Sequence, residues 1–320
     1  MSFADNIDHP PLLRRPVIML PAIGVLFLLL MQAHAWLWKP VQLVLSSAGN
    51  PHLGAPLVAG VLALLIGGNV YLLMRLPPRA QIALVWLELA LLLALFFVSF
   101  DLSFGFIRRK LWLLVSIGLV NTLYISAVSI ALASVLALAG AMAKLSSSGI
   151  ALGVATFYTS FFRGIPLLMQ IYIIYLGLPQ VGVVIDAIPS GIIALSLCYG
   201  AYMTEIFRAG IESVPRGQWE AARALGFRRG HILRRIILPQ AMGVIIPPTG
   251  NQFIAMLKDS SLVSVIGVWE LMYLAHTEGQ TEFRHIEMML TASMIYWVMS
   301  GMLEFAQSRI EAYFGRANVR

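Results

Sequence analysis

Polar side chains inside otherwise apolar stretches are the residues of this sequence that could do chemistry. Arg163 lies about thirteen residues from the inner end of one apolar stretch and Asn251 about twelve from the inner end of another, so a rise of about 1.5 Å per helical residue gives them similar depths. A guanidinium at that depth is a natural partner for a carboxylate, which favours passage of a carboxylate-bearing molecule. The alternative is structural: Arg163 pairs with Glu205 or with a backbone carbonyl and holds helices together.

A second set of residues is predicted to contact a protein partner from the cytoplasm. The segment 220–225 has strong helix formers and small side chains that let a partner approach closely, and Gly226 supplies the turn expected at a helix C-terminus. Six arginines surround this segment: Arg216, Arg223, Arg228, Arg229, Arg234 and Arg235. The positive-inside rule alone would place arginines in such a loop. That rule does not explain the spacing of the other residues.

The composition places these residues in a membrane protein. Of the 320 residues, 59% are hydrophobic and 12% are charged, with a mean hydropathy of +0.83, whereas a soluble domain carries about 25% charged residues. The chain is therefore predicted to be an all-α integral membrane protein with several spans. A net charge of +7 would suit nucleic acid, but the basic residues flank apolar stretches, so the membrane accounts for them and no nucleic acid partner is expected.

The sequence lacks recognisable catalytic and metal-binding patterns. Its single cysteine, Cys198, lies in an apolar run and offers neither an internal disulfide nor a thiol metal site, and the six histidines lack ligand spacing. It contains no phosphate-binding Gly-x4-Gly-Lys-Ser/Thr loop and no nucleophile motif. We therefore expect no enzymatic activity, no catalytic residue, no metal and no cofactor. This chain cannot itself be an ATPase.

Eight apolar stretches are long enough to cross a bilayer as helices of about 20 residues. Three come first, at 17–38, 54–76 and 80–100. After a polar connector five more follow, at 119–143, 150–177, 188–211, 239–258 and 286–307. The predicted organisation is a cytoplasmic N-terminus, three accessory helices, a connector, a five-helix core with a cytoplasmic loop at 212–238, and a cytoplasmic tail, bounded at 1–16, 17–100, 101–118, 119–310 and 311–320.

The basic loop orients these spans. Placing it in the cytoplasm puts both termini inside, together with most of the Lys and Arg residues, as the positive-inside rule predicts. The segment Arg108–Lys110 is the exception, because it falls outside; either it lies on an interfacial helix or one early span is misassigned. Residues 33–35 resemble a signal-peptide cleavage site that would remove the first 35 residues, although the long apolar run and its final Trp36 and Trp38 favour an uncleaved span.

Two polar side chains of the accessory helices are predicted to pair. Asn69 and Glu88 lie about seven and about eight residues from the inner ends of their two helices, hence at similar depth. An isolated carboxylate in lipid is costly. Glu88 is therefore expected to face protein and to bond Asn69, as structural glue between the two helices.

The basic loop also has a spacing that points to a family. The pattern is Glu-Ala-Ala, three residues, Gly, nine residues, Ile, one residue, Leu-Pro, and it is matched without a gap at Glu220, Ala221, Ala222, Gly226, Ile236, Leu238 and Pro239. This pattern resembles the cytoplasmic "EAA" loop in permease subunits of ATP-binding cassette importers. The resemblance implies that the following residues couple the chain to a separate ATPase: Glu220, Ala221, Ala222, Gly226, Arg216 and Arg223.

Four other segments resemble the branch of these permeases that serves polar amino acids such as histidine, glutamine, glutamate, arginine and opines. They are 161–170, 201–208, 213–217 and 257–262, and the resemblance covers residues 115–315. One departure is Arg163-Gly-Ile-Pro, where Arg-Gly-Thr-Pro or Arg-Asn-Thr/Ile-Pro is usual, and it leaves the substrate undefined. Together with the similar depths of Arg163 and Asn251, these segments predict a substrate pathway past Arg163, Gln170, Asn251 and Glu205.

The same resemblance implies a fold, a function and partners. The fold is a five-span type I importer permease core preceded by about three extra spans. The function is ATP-driven import of polar amino acids across the bacterial inner membrane by alternating access. The implied partners are ATP-binding cassette subunits, a second permease chain, identical or paralogous, and an extracytoplasmic amino acid-binding protein.

Two other classes of protein stay open at this point. A secondary transporter or channel would need no ATPase, and the basic loop would then be incidental. A membrane-embedded enzyme should show a paired acid/base or metal constellation, and the sequence shows none.

Overall fold

The computed structural model describes residues 64, 66–98 and 102–315. The chain divides into two compact units, Met1–Asp101 and Leu102–Arg320. The predicted first span, the cleavage site at 33–35 and the last five residues of the tail lie outside the described residues.

The described part of the first unit is a helical hairpin. Residues 66–73 are helical, the chain turns over 74–77, and α1 spans Pro78–Val98. A proline is tolerated in the first turn of a helix, because its missing N–H would have no helical partner there. Gln81 Nε2 secures the turn by donating to the Leu76 carbonyl at 2.8 Å.

The pair predicted between Asn69 and Glu88 is not formed. Both side chains are half-buried, and no hydrogen bond joins them in the described hairpin. Asn69 lies about four residues before the end of its helix and Glu88 about ten residues after the start of α1, so their depths differ by roughly 9 Å. The turn is placed asymmetrically between the two residues, which the sequence pattern did not show.

The second unit opens with a continuous helical segment of 41 residues, Phe104–Lys144. Its parts are α2 (Phe104–Leu113), a π-helical turn (Leu114–Leu119) and α3 (Val120–Lys144). The connector predicted over 101–118 is therefore wrong from Phe104 onward. The prediction failed because three adjacent charges lower the local hydropathy.

The charges of Arg108–Lys110 lie on helix α2. Lys110 Nζ lies 2.6 Å from Glu278 Oε2 and 3.4 Å from Glu282 Oε1, and both carboxylates belong to a segment far along the chain. A paired ammonium is much less costly near a membrane than an isolated one. The helix therefore continues through residues that looked like a polar loop.

The predicted span 150–177 is bent. It consists of α4 (Gly149–Gly164) and a helical stretch that begins with α5 (Leu167–Tyr172) and continues to Val181, and the two meet at an angle of 106°. Pro166 lacks an N–H and disfavours helical geometry in the residue before it. Ile165 is accordingly extended, with φ −103° and ψ 135°.

The remaining helices follow in order: α6 (Ala187–Glu212), α7 (Arg216–Ala224), α8 (Arg229–Ile232), a π-helical turn (Leu233–Ile237), α9 (Leu238–Asp259), a 3-10 segment (Ser260–Ile266), α10 (Leu271–Thr281) and α11 (His285–Gly315). Within the described ranges, three helical segments are long and apolar enough to cross a membrane: Phe104–Lys144, Ala187–Glu212 and His285–Ala312. The bent pair would make a fourth.

Helix α9 differs from the predicted span 239–258 in one respect. It is not among the segments apolar enough to cross a membrane unaided, because two prolines and several amide side chains lower its hydropathy. It also contains Pro247 and Pro248, and neither interrupts the helix. Neighbouring helices can support proline inside a membrane helix, and here a Cβ on Gly250 would lie 2.6 Å from Gln307 Cδ of α11.

Helix α6 lies at the centre of the second unit, against α3, α4, α5 and α9. Small residues let α3 approach it closely. Ser196 Oγ of α6 donates to the Ser129 carbonyl at 3.4 Å, and a Cβ on Gly140 would lie 2.5 Å from Thr204 Oγ1. The later residue of α3 contacts the later residue of α6, so the two helices run parallel. Small residues commonly allow such close approach between membrane helices.

Candidate functional site

Helix α7 ends at a glycine in the left-handed region. It spans Arg216–Ala224, and Gly226 has φ +78°. The Gly226 N–H donates to the Arg223 carbonyl at 2.9 Å and the Phe227 N–H to the Ala222 carbonyl at 3.2 Å, the pair of bonds that defines a Schellman motif. Glycine adopts this conformation without the strain of other residues. The spacing between Ala222 and Gly226 therefore follows from the geometry of the helix end.

One face of α7 packs on neighbouring helices of the second unit, and the other face is exposed. Ala222 is 3% exposed, and it packs with Trp219 on a buried cluster that includes Ile211, Val214, Ile232 and Ile237. The other five predicted coupling residues are exposed: Arg216, Glu220, Ala221, Arg223 and Gly226. Ala222 thus fixes α7 to the membrane helices, while the rest of the set faces outward.

The exposed face combines apolar and basic side chains. Leu225 is 75% exposed and Phe227 43%, and none of the six arginines from Arg216 to Arg235 forms an ion pair within the described residues. Exposed apolar groups rimmed by polar ones are typical of an interaction surface. Leu225 and Phe227 were not predicted as contact residues; their signal is that they flank Gly226 in an otherwise basic loop.

Five charged side chains form a cluster at the ends of α3, α4 and α6. Glu205 Oε1 contacts Lys144 Nζ, and Glu205 Oε2 accepts from Arg208 Nε at 2.9 Å. Arg208 Nη1 also donates to Glu212 Oε2 at 2.6 Å, in the last turn of α6. Arg163 Nη1 lies 4.0 Å from Glu205 Oε1. With three cations and two carboxylates, the cluster has one positive charge in excess.

Arg163 is the most exposed cation of this cluster. Its side chain is 44% exposed, against 11% for Lys144 and 35% for Arg208. Its guanidinium lies 5.2 Å from the centre of the Tyr202 ring, close enough for a cation–π contact. The structure thus contains the Arg163–Glu205 pair of the structural alternative, but the 4.0 Å separation leaves the guanidinium open to a further partner.

Gln170 holds the bend between α4 and α5. Its Nε2 donates to the Phe162 and Ile165 carbonyls at 2.9 Å each, where the break removes helical partners. The side chain is 3% exposed, and its Oε1 has no hydrogen-bond partner among the described atoms. The structure therefore places Gln170 inside the bend next to Arg163, where it shapes the backbone.

Asn251 belongs to a separate polar group on α9. Gln307 Nε2 of α11 lies 3.0 Å from Asn251 Oδ1 and 3.1 Å from the Pro247 carbonyl. No hydrogen bond or ion pair between described side chains joins Asn251 to Arg163. Gln307 was not predicted as a functional residue, and it has no clear signal in the sequence, because it stands among the charged residues Glu304, Arg309 and Glu311.

A buried carboxylate outside the predicted spans was also missed. Glu270 is 0% exposed and caps α10, accepting from the Met272 N–H at 2.9 Å and the Tyr273 N–H at 2.6 Å. The Tyr296 hydroxyl of α11 donates to it at 2.8 Å. Burial raises the pKa of Glu270 to about 7, although these hydrogen bonds oppose the rise. Glu270 therefore ties α10 to α11.

Comparison with known sequences places the second unit among transport proteins. A family described as "Binding-protein-dependent transport system inner membrane component" matches residues 133–313. The L-cystine transport system permease protein TcyB of Bacillus subtilis (strain 168) is 39% identical over 211 residues, which cover 66% of this chain and 90% of that protein. The arginine transport system permease protein ArtQ of the same organism is 39% identical over 195 residues, covering 61% and 89%.

Solved structures give the same fold. This chain is similar to a chain in the crystal structure of an amino acid ABC transporter with histidines, with a TM-score of 0.62 and 36% identity. The match covers 67% of this chain and 100% of that one. A chain from inward-facing conformations of the MetNI methionine ABC transporter gives a TM-score of 0.56 at 21% identity, covering 64% and 98%. This second likeness concerns the fold alone.

Proposed function

Since this chain belongs to the family of binding-protein-dependent transport system inner membrane components, we propose that it imports polar amino acids. It is a membrane permease subunit, and ATP is hydrolysed on a separate subunit of such a system. A secondary transporter or channel is not favoured. Relatives named for L-cystine and arginine transport support an amino acid as the substrate.

The proposal that the substrate is an amino acid rests on the position and exposure of Arg163. This residue lies in the last turn of α4 at the 106° bend, its side chain is 44% exposed, and it belongs to a cluster with one excess positive charge. Helix breaks at membrane depth occur only against protein or a water-filled cavity, and transporters place charged-ligand sites at such breaks. A substrate carboxylate needs a partner where the dielectric is low. Arg163 would meet that carboxylate transiently as the substrate passes.

The other pathway residues would support Arg163 in different ways. Gln170 would stabilise the bend through its two hydrogen bonds to backbone carbonyls. Glu205 holds Arg163 from the side of α6. Asn251 offers a donor and an acceptor on α9, where it already accepts from Gln307, and would meet the substrate at a second point along the pathway.

Coupling would pass through α7. Its exposed face, with Arg216, Glu220, Ala221 and Arg223 and the apolar Leu225, would seat on an ATP-binding subunit. Closure of two such subunits would push α7, and the packing of Ala222 on Ile211 would carry this movement into α6. The membrane helices would then alternate between inward- and outward-facing arrangements.

The proposed assembly contains two permease chains, identical or paralogous, two ATP-binding subunits and an extracytoplasmic amino acid-binding protein. The α7 loop and both termini would face the cytoplasm, in agreement with the basic character of the loop. Residues 17–100 would form an accessory three-helix segment.

Uptake by the reconstituted complex tests this function. The chain would be copurified with its ATP-binding subunit, placed in proteoliposomes with its binding protein, and supplied with a panel of labelled amino acids. We expect uptake of one or more polar amino acids that requires ATP and falls in Arg163→Gln. Uptake without ATP, or without a copurifying ATP-binding subunit, would instead identify a secondary transporter or channel, and uptake insensitive to Arg163→Gln would remove Arg163 from the pathway.

A further inference from the structure

We infer that Glu205 is the resident counterion of Arg163, which a substrate carboxylate displaces on arrival and which recaptures Arg163 when the substrate leaves. The inference rests on the proposed function, because it requires Arg163 to meet the substrate. Glu205 acts through Arg163 and is a positioning residue. Its role is to set how tightly Arg163 holds the substrate.

Glu205 does not need Arg163 for its own neutralisation. One of its oxygens contacts Lys144 Nζ, and the other accepts from Arg208 Nε at 2.9 Å. Arg163 Nη1 is 4.0 Å away, which is beyond hydrogen-bond length. Arg163 can therefore leave while Glu205 keeps two closer cations.

A substrate carboxylate offers Arg163 more than Glu205 does. The guanidinium fork can bind a free carboxylate through two parallel hydrogen bonds, which are stronger and more directional than one long ion pair. Arg163 is also the cation that an incoming anion reaches first, since its side chain is 44% exposed while that of Lys144 is 11% exposed. Displacement of Glu205 from Arg163 thus exchanges a loose contact for a close one.

The charge of the cluster favours binding of one added carboxylate, and the presence of Glu205 limits how tightly that carboxylate is held. Three cations face Glu205 and Glu212, so a single carboxylate brings the cluster to neutrality. Without Glu205 the excess would be two positive charges, and an anion would be held more tightly. A transporter must release its substrate, so the competing carboxylate of Glu205 speeds turnover by weakening the bound state.

Replacement of Glu205 separates this role from a structural one. In the complete complex without the binding protein, equilibrium binding of the labelled amino acid to Glu205→Gln should tighten, with Kd about tenfold lower, while uptake at saturating binding protein should slow. Glu212→Gln is the matched control. It removes the same charge from the cluster, but Glu212 contacts Arg208 and not Arg163, so Kd should fall much less than in Glu205→Gln.

A second variant covers the case in which Glu205→Gln fails to assemble. Glu205→Asp keeps the charge beside Lys144 and Arg208 but draws the carboxylate away from Arg163, so Kd should fall in the same direction by a smaller factor. An unchanged or higher Kd in the variant that assembles would overturn the inference, because a merely structural Glu205 would slow uptake without tightening binding.

Arg163→Gln distinguishes failure of the inference from failure of the proposed function. If Arg163→Gln leaves substrate binding unchanged, Arg163 is not the substrate contact, and both are overturned. If Arg163→Gln weakens binding, the double variant Arg163→Gln/Glu205→Gln should bind no more tightly than Arg163→Gln alone. Tighter binding by the double variant would overturn the counterion role alone, because Glu205 would then act without Arg163.

Discussion

Substitutions at Gly226 distinguish two roles of this residue. One is to adopt the left-handed backbone conformation at the end of α7, and the other is to leave space for the proposed partner. Gly226 has φ +78°, and a Cβ placed on it meets nothing within 4 Å. Gly230 in the same loop has the same open surroundings but no left-handed φ. A side chain at 226 therefore strains its own backbone and nothing else in the described chain. Any larger effect must come from a partner.

The size of the backbone effect follows from this geometry. An L-residue in the left-handed region costs about 1–2 kcal/mol, which is a modest part of a native stability of about 5–15 kcal/mol. Gly226→Ala should therefore lose about that much stability and keep its coupling. Gly226→Asn should lose less, because asparagine tolerates this conformation best after glycine. Gly226→Leu should lose about as much stability as Gly226→Ala, yet its side chain would occupy the space in which we propose that α7 meets the ATP-binding subunit.

The assay measures thermal unfolding, ATP hydrolysis and uptake with the same purified complex in proteoliposomes. We expect Gly226→Leu to assemble and to lose ATP-driven uptake, whereas Gly226→Ala, Gly226→Asn and the matched control Gly230→Leu retain it. Normal uptake by Gly226→Leu at normal protein levels would refute the reasoning. Equal losses in Gly226→Ala and Gly226→Leu would also refute it, because the cause would then be the helix end and not the docking surface.

Three further outcomes are expected. Arg163→Lys keeps the charge but loses the planar fork, so uptake should fall while the complex still copurifies, and Arg163→Ala should do at least as much harm; unchanged uptake would contradict this. Gly140→Ala places a Cβ 2.5 Å from Thr204 Oγ1 and should lower thermal stability by about 1–3 kcal/mol, unlike its match Gly153→Ala, which meets nothing within 4 Å. Burial raises the pKa of Glu270 from 4.5 to about 7. The free energy of unfolding should therefore be highest below pH 4.5, where Glu270 is neutral in both states. It should fall by on the order of 3 kcal/mol as the pH rises through 7 and Glu270 ionises in the fold. Unfolding measured at acidic and alkaline pH should show this loss, and Glu270→Gln should flatten it.

The helix and the glycine at its end, residues 216–226, could be predicted from sequence because their determinants are local. The small residues, the glycine and their spacing all lie within one helix and its end, and the structure gives that spacing a reason in the Schellman motif of Gly226 and Phe227. The outward face of the loop was also predictable from its arginines. What the sequence did not show was that Ala222 faces inward, since its partners Ile211 and Ile237 lie on other helices.

The bend and the long first helix of the second unit could not be predicted in the same way. Pro166 marks a boundary in principle, yet it stands in an apolar run that was long enough to be one span. Its bend is held by Gln170, whose bonds to carbonyls on the other side of the break have no sequence signature. Lys110 looked like part of a loop because Glu278 and Glu282, which neutralise it, are distant along the chain.

Arg163 and Lys110 show how two charges that interrupt apolar sequence can be told apart by their partners. Lys110 Nζ lies 2.6 Å from Glu278 and its side chain is 24% exposed, so the fold meets its need for a counterion. Arg163 stands 4.0 Å from a carboxylate that already has two closer cations, and its side chain is 44% exposed. A membrane protein keeps an incompletely paired charge at a cost, and that cost is understandable where the missing partner is a ligand. The geometry therefore favours Arg163, and not Lys110, as the cation that meets the substrate.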